Sequence, residues 1–586
     1  MPLPESKTMY SSSELHIPED LFNSEIDPRL PYATRVNSRE AYPNVICPLD
    51  LTVIAIPNDH GIRRQLRDLG VTTIDPPALL CNRVHQGRVY ANLSWVMWMA
   101  DIMPGADASD FEQQLFGQHI PFRITRPDIT PEERKTAARH KWRFYGWMVR
   151  TCLGARRAVI RQLDRRQSMD LAAKTNLELD ALIVPWQDQL ITAGEGNTRG
   201  TLAGLVMIGA LNRILGAEKS RHLVAILSDM GEVESAAPAQ RIREIAATAR
   251  RRNPGLAKAL KGSYHRWETL REIDHDAYDG LRAVVDRYGY RSVAEFLISS
   301  PSWAEDPTPV MDSFIGLLAS EQPKTDGKGQ QREAALREVL KGAGPVRRLY
   351  LKALIACAHL GARTRERSKA GLIIRVDMLR QLFREIGRRF LKEAFIDDIT
   401  DLYYLTLAEV RAVLTGNRSL DLRALINERR AEAERLQALG EPEELINGHE
   451  PVNLTPEDTD SIRVLNGQGV SGHTVEGIAR VVIHTDQLDL FEPGEILVSS
   501  HTDAGWTPYF NLAAGVIVET GGLLTHTSVV ARELGLPAVV NVRDATRIIR
   551  TGDHLILEPD TGEVRILSRA EGQAPQADDQ PLAAEP

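Results

Sequence analysis

The segment ETGGLLTHTSVVARELGLPAVV (Glu519–Val540) leads from the end of an apolar, strand-like run through a Gly-Gly turn and a histidine into one short helix. The helix is expected from Thr527 to Leu534. Thr525 or Thr527 can cap its start, Gly535 suits the left-handed position after its end, and Pro537 cannot continue it. His526 therefore stands at the helix N-terminus. Unpaired backbone N–H groups and a partial charge of roughly +0.5 collect there and favour phosphoryl oxygens, while Gly521 and Gly522 let backbone approach closely. Taken alone, the pattern also fits a neutral histidine in an ordinary strand-to-helix corner, so the surrounding sequence decides.

Around this segment the apolar residues alternate or run at strand length: Gly477–His484, Glu495–Ser500, Gly515–Glu519, Ala538–Val542, His554–Glu558 and Glu563–Leu567. A small β-rich domain over 466–568 is expected. The preceding stretch, INGHEPVNLTPEDTDSIRVL at 446–465, is polar, carries two prolines and reads as a linker. Fully extended it would span roughly 65–70 Å, more than the diameter of one domain. Residues 569–586 are rich in Ala, Gln, Asp and Pro, too poor in large apolar groups to offset the entropy of ordering, and read as a disordered tail.

Upstream, from about Pro131 to Gly440, the period is helical, with long segments at 131–167, 201–230 and 376–393. The glycine-rich Gly194–Gly200 (GEGNTRG) lacks the lysine of a phosphate-binding loop and is expected as a connection between helices. The region 37–92 is mixed: Leu51–Ile56 and Gly87–Leu93 look like strands and Gly61–Leu69 like a helix, packing onto the helical body. The fold class is thus multidomain. Residues 1–36 form an N-terminal extension, 37–445 a large, mainly α-helical domain, and the small β-rich domain follows the linker.

Composition closes several classes. A chain of 586 residues exceeds one hydrophobic core. No apolar run approaches the eighteen or so residues of a membrane span, and the start MPLPESKTMYSSSELHIPED has no signal-peptide pattern, so no membrane association and a cytoplasmic location are expected. Cys47, Cys81, Cys152 and Cys357 have no paired spacing, which argues against disulfides or a zinc site, and no metal ligand set is expected. A net charge of −8 gives no general attraction to nucleic acid, and Arg250–Arg252 reads as a helix C-terminal cluster.

With GQGVSGHTVEGIARVV at 467–482 and PGEILVSSHTDAGWTPYF at 493–510, the His526 segment closely resembles the mobile phosphohistidine domain of the PEP-utilising enzymes: phosphoenolpyruvate synthase, pyruvate phosphate dikinase and rifampicin phosphotransferase. The resemblance implies a β/β/α swivelling domain whose histidine is phosphorylated at one station and dephosphorylated at another. It implies His526 as the catalytic residue, with Gly521, Gly522, Thr525, Thr527 and Arg532 around the phosphate. In dikinases a threonine two residues before the histidine is a regulatory phosphorylation site; Leu524 stands here, so regulation of that kind is not expected.

The helical region resembles the acceptor domain of rifampicin phosphotransferase-like proteins in NSREAYPNVICPLD (37–50), GRVYANLS (87–94), YGYRSVAEFLISSPSWAEDPTPVM (288–311), RTRERSK (363–369) and DDITDLYYLTLAEV (397–410). Only thirty-six residues precede the first of these and eighteen follow Ser568, so neither an ATP-grasp domain nor a pyruvate-binding barrel is expected in the sequence. That layout looks like the larger subunit of phenylphosphate synthase and related aryl phosphate synthases. It implies a separate ATP-grasp partner that binds ATP and Mg2+, phosphorylates His526 and releases AMP and phosphate. The acceptor is then a small hydroxylated compound, of the phenol class, held in the helical domain.

Phosphoryl transfer passes through a loose transition state and relies on positioning and cations. Arg365 and Lys369, four apart, share a helix face, as do Arg363 and Arg367. Arg291 and Glu295, also four apart, occupy a patch where relatives show His-Arg-Gly and then an acidic residue, whereas this chain has Tyr290-Arg291-Ser292. The proton-accepting base is therefore open, with His85 and His265 as candidates, and a phenol needs less base assistance than an aliphatic alcohol. Two other readings stand beside the first: phosphorylation of an antibiotic or other large natural product, and a non-catalytic phosphocarrier.

Overall fold

A computed structural model of the chain describes residues 18–36, 38–68, 79, 81–102, 122–220, 222–227, 234–319, 328–440, 442–452, 461–483, 485–522 and 525–570. Five short strands, β1 (Tyr32–Thr34), β2 (Asn82–His85), β3 (Arg88–Asn92), β4 (Leu445–Asn447) and β5 (Glu450–Pro451), make an antiparallel sheet in the order β2-β3-β1-β4-β5. The segment expected as an extension thus supplies the central strand. The first part of the segment expected as a linker supplies two more.

The body is built from helices, of which α1 (Pro131–Gln167), α2 (Asn176–Ser220), α3 (Ala237–Arg252), α4 (Thr308–Ala319) and α5 (Pro345–Lys392) position the site. Helix α1 begins with a capping box in which the Thr130 hydroxyl accepts from the Glu133 N–H and the Glu133 carboxylate accepts from the Thr130 N–H. Helix α5 is the central one. From Ala370 to Arg380 every residue on it is buried, because other elements cover it on all sides.

The run Gly194–Gly200 lies inside α2 rather than between helices. Its small residues serve packing. A Cβ at Gly200 would come 3.2 Å from the Thr364 carbonyl oxygen of α5, and one at Gly204 would come 3.5 Å from that of Gly361. Leu51–Ile56 is also helical, not a strand: Leu51–Ala55 is a π-helical turn leading into a helix at Ile56–Asp68. All its side chains are buried, and an apolar run of this length has no period to separate buried helix from buried strand.

The C-terminal unit is one sheet of order β6-β13-β12-β8-β9-β10-β11-β7. Its strands are β6 (Val464–Asn466), β7 (Gln468–Ser471), β8 (Val475–Val482), β9 (Ile496–Ser499), β10 (Gly515–Val518), β11 (Ala538–Val540), β12 (His554–Glu558) and β13 (Glu563–Ser568). The β8-β9-β10-β11 pairings are parallel and the rest antiparallel. Parallel strands are buried on both faces, which is why β9 and β10 read as unbroken apolar runs. Arg569 is tied down by the buried carboxylate of Asp553 at 2.8 Å, so order extends past Ser568; residues 571–586 lie outside the described ones.

Helix α6 (His526–Leu534) crosses the sheet face turned toward the body. One continuous apolar cluster runs through the contact, joining Leu215, Leu351 and Ala362 of the body to Trp506, Phe510, Val529 and Val530 of the small unit. Among the described residues no helix is long and apolar enough to cross a membrane.

Candidate functional site

His526 is the first residue of α6 and only 2% exposed. Thr525 has the extended backbone of an N-cap, but its side chain makes no capping bond. Its hydroxyl donates instead to the Gly522 carbonyl at 3.0 Å, and the Ser528 hydroxyl donates to the same oxygen at 2.7 Å. These two bonds fold the Gly-Gly turn against the helix start. Gly521 has φ +138°, and a Cβ there would stand 3.0 Å from the Thr525 hydroxyl, so the turn requires glycine. The Thr527 hydroxyl meets that of Thr502 at 2.7 Å. Leu524 lies outside the described residues. Gly535 ends the helix at φ 68°, ψ 25°, the left-handed conformation expected of it.

The imidazole faces the body. Its Nε2 is 3.5 Å from the Thr507 hydroxyl oxygen, a long contact because that hydroxyl approaches the Ala504 carbonyl at 2.6 Å. The Phe510 ring lies 6.2 Å from the imidazole, centroid to centroid. Burial, and then the charges of Lys369, Arg291 and Arg365, hold the His526 pKa well below the ordinary histidine value. At neutral pH the ring is uncharged, and three positive charges act on it. An anionic group carried by the ring would be attracted by all three.

Each cation is fixed by its own partners. The Arg291 guanidinium donates to Glu295 Oε1 at 2.6 Å and to the Glu234 carbonyl at 3.0 Å. Burial alone would weaken its charge, but Glu295, Tyr290 and Glu234 outweigh burial and raise its pKa. Lys369 donates to Glu40 at 2.8 Å; burial is again outweighed, here by Glu40, Glu295 and Asp503. Arg365 donates to Glu366 at 2.9 Å. Arg291, Arg365 and Lys369, from two segments far apart in sequence, thus act on one histidine, and Glu295 joins them through Arg291.

Arg532 stands elsewhere. Six residues along α6 from His526 is a rise of roughly 9 Å, and at 100° per residue it points from a different face. Its guanidinium is 3% exposed and none of its three nitrogens has a hydrogen-bond partner among the described residues. Burial pulls its pKa down to about 10, with Glu533 and Glu366 opposing. His85 and His265 lie on other elements, each with its own surroundings. His85 Nδ1 is 3.0 Å from His449 Nδ1 on the five-stranded sheet, and burial, then His449, lowers its pKa to about 4. His265 is exposed at the start of the helix Arg266–Ile273.

Sequence reasoning passed over Asp503. It lies in the quoted HTDAGW run, 1% exposed, and its carboxylate accepts the Glu295 N–H at 3.0 Å and the Gly505 N–H at 2.7 Å. Glu519 was also missed: it closes β10 and meets Arg39 of the body at 3.4 Å.

Two family models match. Residues 197–366 match the rifampicin phosphotransferase fourth domain, and 491–562 match the mobile domain of PEP-utilising enzymes. The first match runs from α2 to Glu366; the second contains His526. In these two stretches the chain is similar to rifampicin phosphotransferase and to the mobile domain of PEP-utilising enzymes. It is 33% identical to the rifampicin phosphotransferase of Streptomyces sviceus over 50% of this chain and 35% of that protein. It is 26% identical to the prodigiosin synthesizing transferase PigC of Serratia marcescens, over 92% of this chain and 63% of PigC. An uncharacterized protein of Mycobacterium tuberculosis is 27% identical over 94% of this chain and 64% of its own length. The chain spans less than two thirds of the length of each of these relatives.

Proposed function

We propose that this chain is a phosphotransferase in which His526 carries a phosphoryl group on a mobile domain and delivers it to a hydroxyl held by the helical body. The observation that supports this best is the burial of a neutral His526 ring against Lys369, Arg291 and Arg365. The body approaches the small unit closely: a Cβ on Gly505 would lie 1.9 Å from the Ser292 carbonyl oxygen, and the Trp506 indole N–H donates to the Val293 carbonyl at 3.3 Å. We read this arrangement as the acceptor station.

In the transfer step the N–P bond breaks with its electron pair left on the imidazole, and charge spreads over the phosphoryl oxygens of a loose transition state. Lys369, Arg291 and Arg365 match that charge, and their fixed partners spare reorganisation at the moment of reaction. In this reading a separate ATP-grasp partner binds ATP and Mg2+, charges His526 at a second station, and the chain acts in the cytoplasm without nucleic acid or membrane. The acceptor is a small phenol, as for aryl phosphate synthases. The match of half the chain to rifampicin phosphotransferase favours a second acceptor class, a large hydroxylated natural product.

The test is mass spectrometry for an acid-labile phosphate on His526 after mixing the chain with ATP, with and without an ATP-grasp partner. The reading expects charging only with the partner, and no charging of His526→Gln. Product formation by that variant would end the proposal.

A further inference from the structure

We propose that Glu295 is the base that takes the acceptor hydroxyl's proton, and that Asp503, brought by the mobile domain, is a positioning residue that fixes Glu295 only while that domain is docked. The inference rests on the reading of His526 as the phosphoryl carrier.

Glu295 is wholly buried, and its two oxygens differ. Oε1 accepts from Arg291, whereas Oε2 is buried with no hydrogen-bond partner among the described residues. A buried carboxylate oxygen left open is costly, and such groups are almost always satisfied. Beside a phosphoryl carrier, an open acceptor atom is where a substrate hydroxyl can donate.

Arg291, Lys369, Tyr290 and Asp503 are the charged and titratable groups around Glu295. Arg291 on the same segment and Lys369 on α5 are both held as cations, and Tyr290 is a buried phenol that burial, foremost, keeps in its neutral form. Across the domain contact, burial and then the Glu295 charge push the Asp503 carboxyl well above its ordinary range, against Lys369 and the two N–H groups that pull it down. Asp503 is thus pushed toward its protonated form beside Glu295. Lys369 acts on Asp503 and also on His526, which places both carboxyls in the same charge cluster as the imidazole.

The step balances. The hydroxyl proton passes to Glu295 Oε2, the acceptor oxygen bonds to phosphorus, and the N–P electron pair stays on His526, which leaves as neutral imidazole if Nδ1 is protonated in the phosphorylated state. When the domain departs, the bond from the Glu295 N–H to Asp503 is lost and Glu295 returns its proton to solvent.

Two measurements on the full-length chain test this. In the first, His526 is charged with phosphoramidate, and single-turnover transfer to phenol is followed from pH 5 to 9. Wild type should rise with pH as one base ionises; Glu295→Gln, though phosphorylated, should transfer ~10²-fold or more slowly with a flat profile. Glu295→Asp, which keeps the charge for Arg291, should recover part of the rate together with the pH dependence. Transfer by Glu295→Gln at wild-type rate and pH dependence would overturn the assignment. The second is infrared difference spectroscopy of the uncharged chain at pH 7. Loss of an ionised carboxylate band in Glu295→Gln, and of a protonated carboxyl band in Asp503→Asn, supports the proposal; a protonated Glu295 refutes it. Wild type that is charged but gives phenol nothing would sink the phenol reading, while the infrared result still decides the base.

Discussion

Gly200 on α2 lies so close to Ser368 on α5 that a Cβ there would stand 2.1 Å from the Ser368 hydroxyl oxygen and 3.0 Å from its Cβ. The hydroxyl can rotate away; the Ser368 Cβ and the Thr364 carbonyl behind it cannot. Since Arg365 and Lys369 flank Ser368, the spacing of the two helices sets where those cations stand. Gly200→Ala should gain helix propensity but lose about 1–2 kcal/mol net through overpacking. Urea unfolding measures the loss, and Gly200→Ala with Ser368→Gly, which removes the obstructing Cβ, should recover part of it in a double-mutant cycle.

Arg532 predicts a gain. A buried guanidinium with no hydrogen-bond partner is expensive, and an apolar side chain of similar length removes that cost. Arg532→Met should raise stability by about 1–3 kcal/mol in urea. A fall of similar size would show that the guanidinium is satisfied in solution.

Arg243 predicts a loss confined to the domain contact. From α3 it donates to the Asn511 side chain at 2.6 Å and to the Leu534 carbonyl, at the end of α6, at 3.0 Å. Burial lowers its pKa to about 10, still charged at neutral pH. Arg243→Ala leaves both acceptors unmet and should weaken docking by about 2–4 kcal/mol. Hydrogen exchange should quicken over 507–534 while the core of α5 stays protected.

Glu519 predicts a pH dependence. Burial raises its pKa to about 7, with Glu444 adding and Arg39 and Thr546 subtracting. A carboxyl raised above its ordinary value holds a proton in the native state that the unfolded chain releases. Its contribution is therefore full below about pH 4.5 and is lost as pH rises through about 7. His526, lowered, has the opposite slope. The difference between wild-type and Glu519→Gln stability curves isolates the Glu519 part, expected on the order of 3 kcal/mol between those limits.

Much of the small unit was legible because its strands alternate or run apolar between Gly and Pro breaks; each of the six expected strands is present. The two it lacked, β6 and β7, are short and lie in sequence that alternates only weakly. Leu51–Ile56 misled because an unbroken apolar run has no phase. Gly194–Gly200 misled because glycine for close helix packing and glycine for a turn look alike along one chain. Asp503 was out of reach for another reason: its partner Glu295 is 208 positions away, and only the fold brings them together.

The pairing of β4 with β1 bears on how far the phosphoryl group can travel. Because 445–447 and 450–451 are fastened to the body's sheet, and 464–466 to the other sheet, the chain from Pro451 to Val464 bounds the excursion to roughly 43–47 Å, about two thirds of the span of a free twenty-residue tether. Either the second station lies within that radius of the first, or β4 and β5 must peel away before the longer swing, and the cost of peeling would then set its rate.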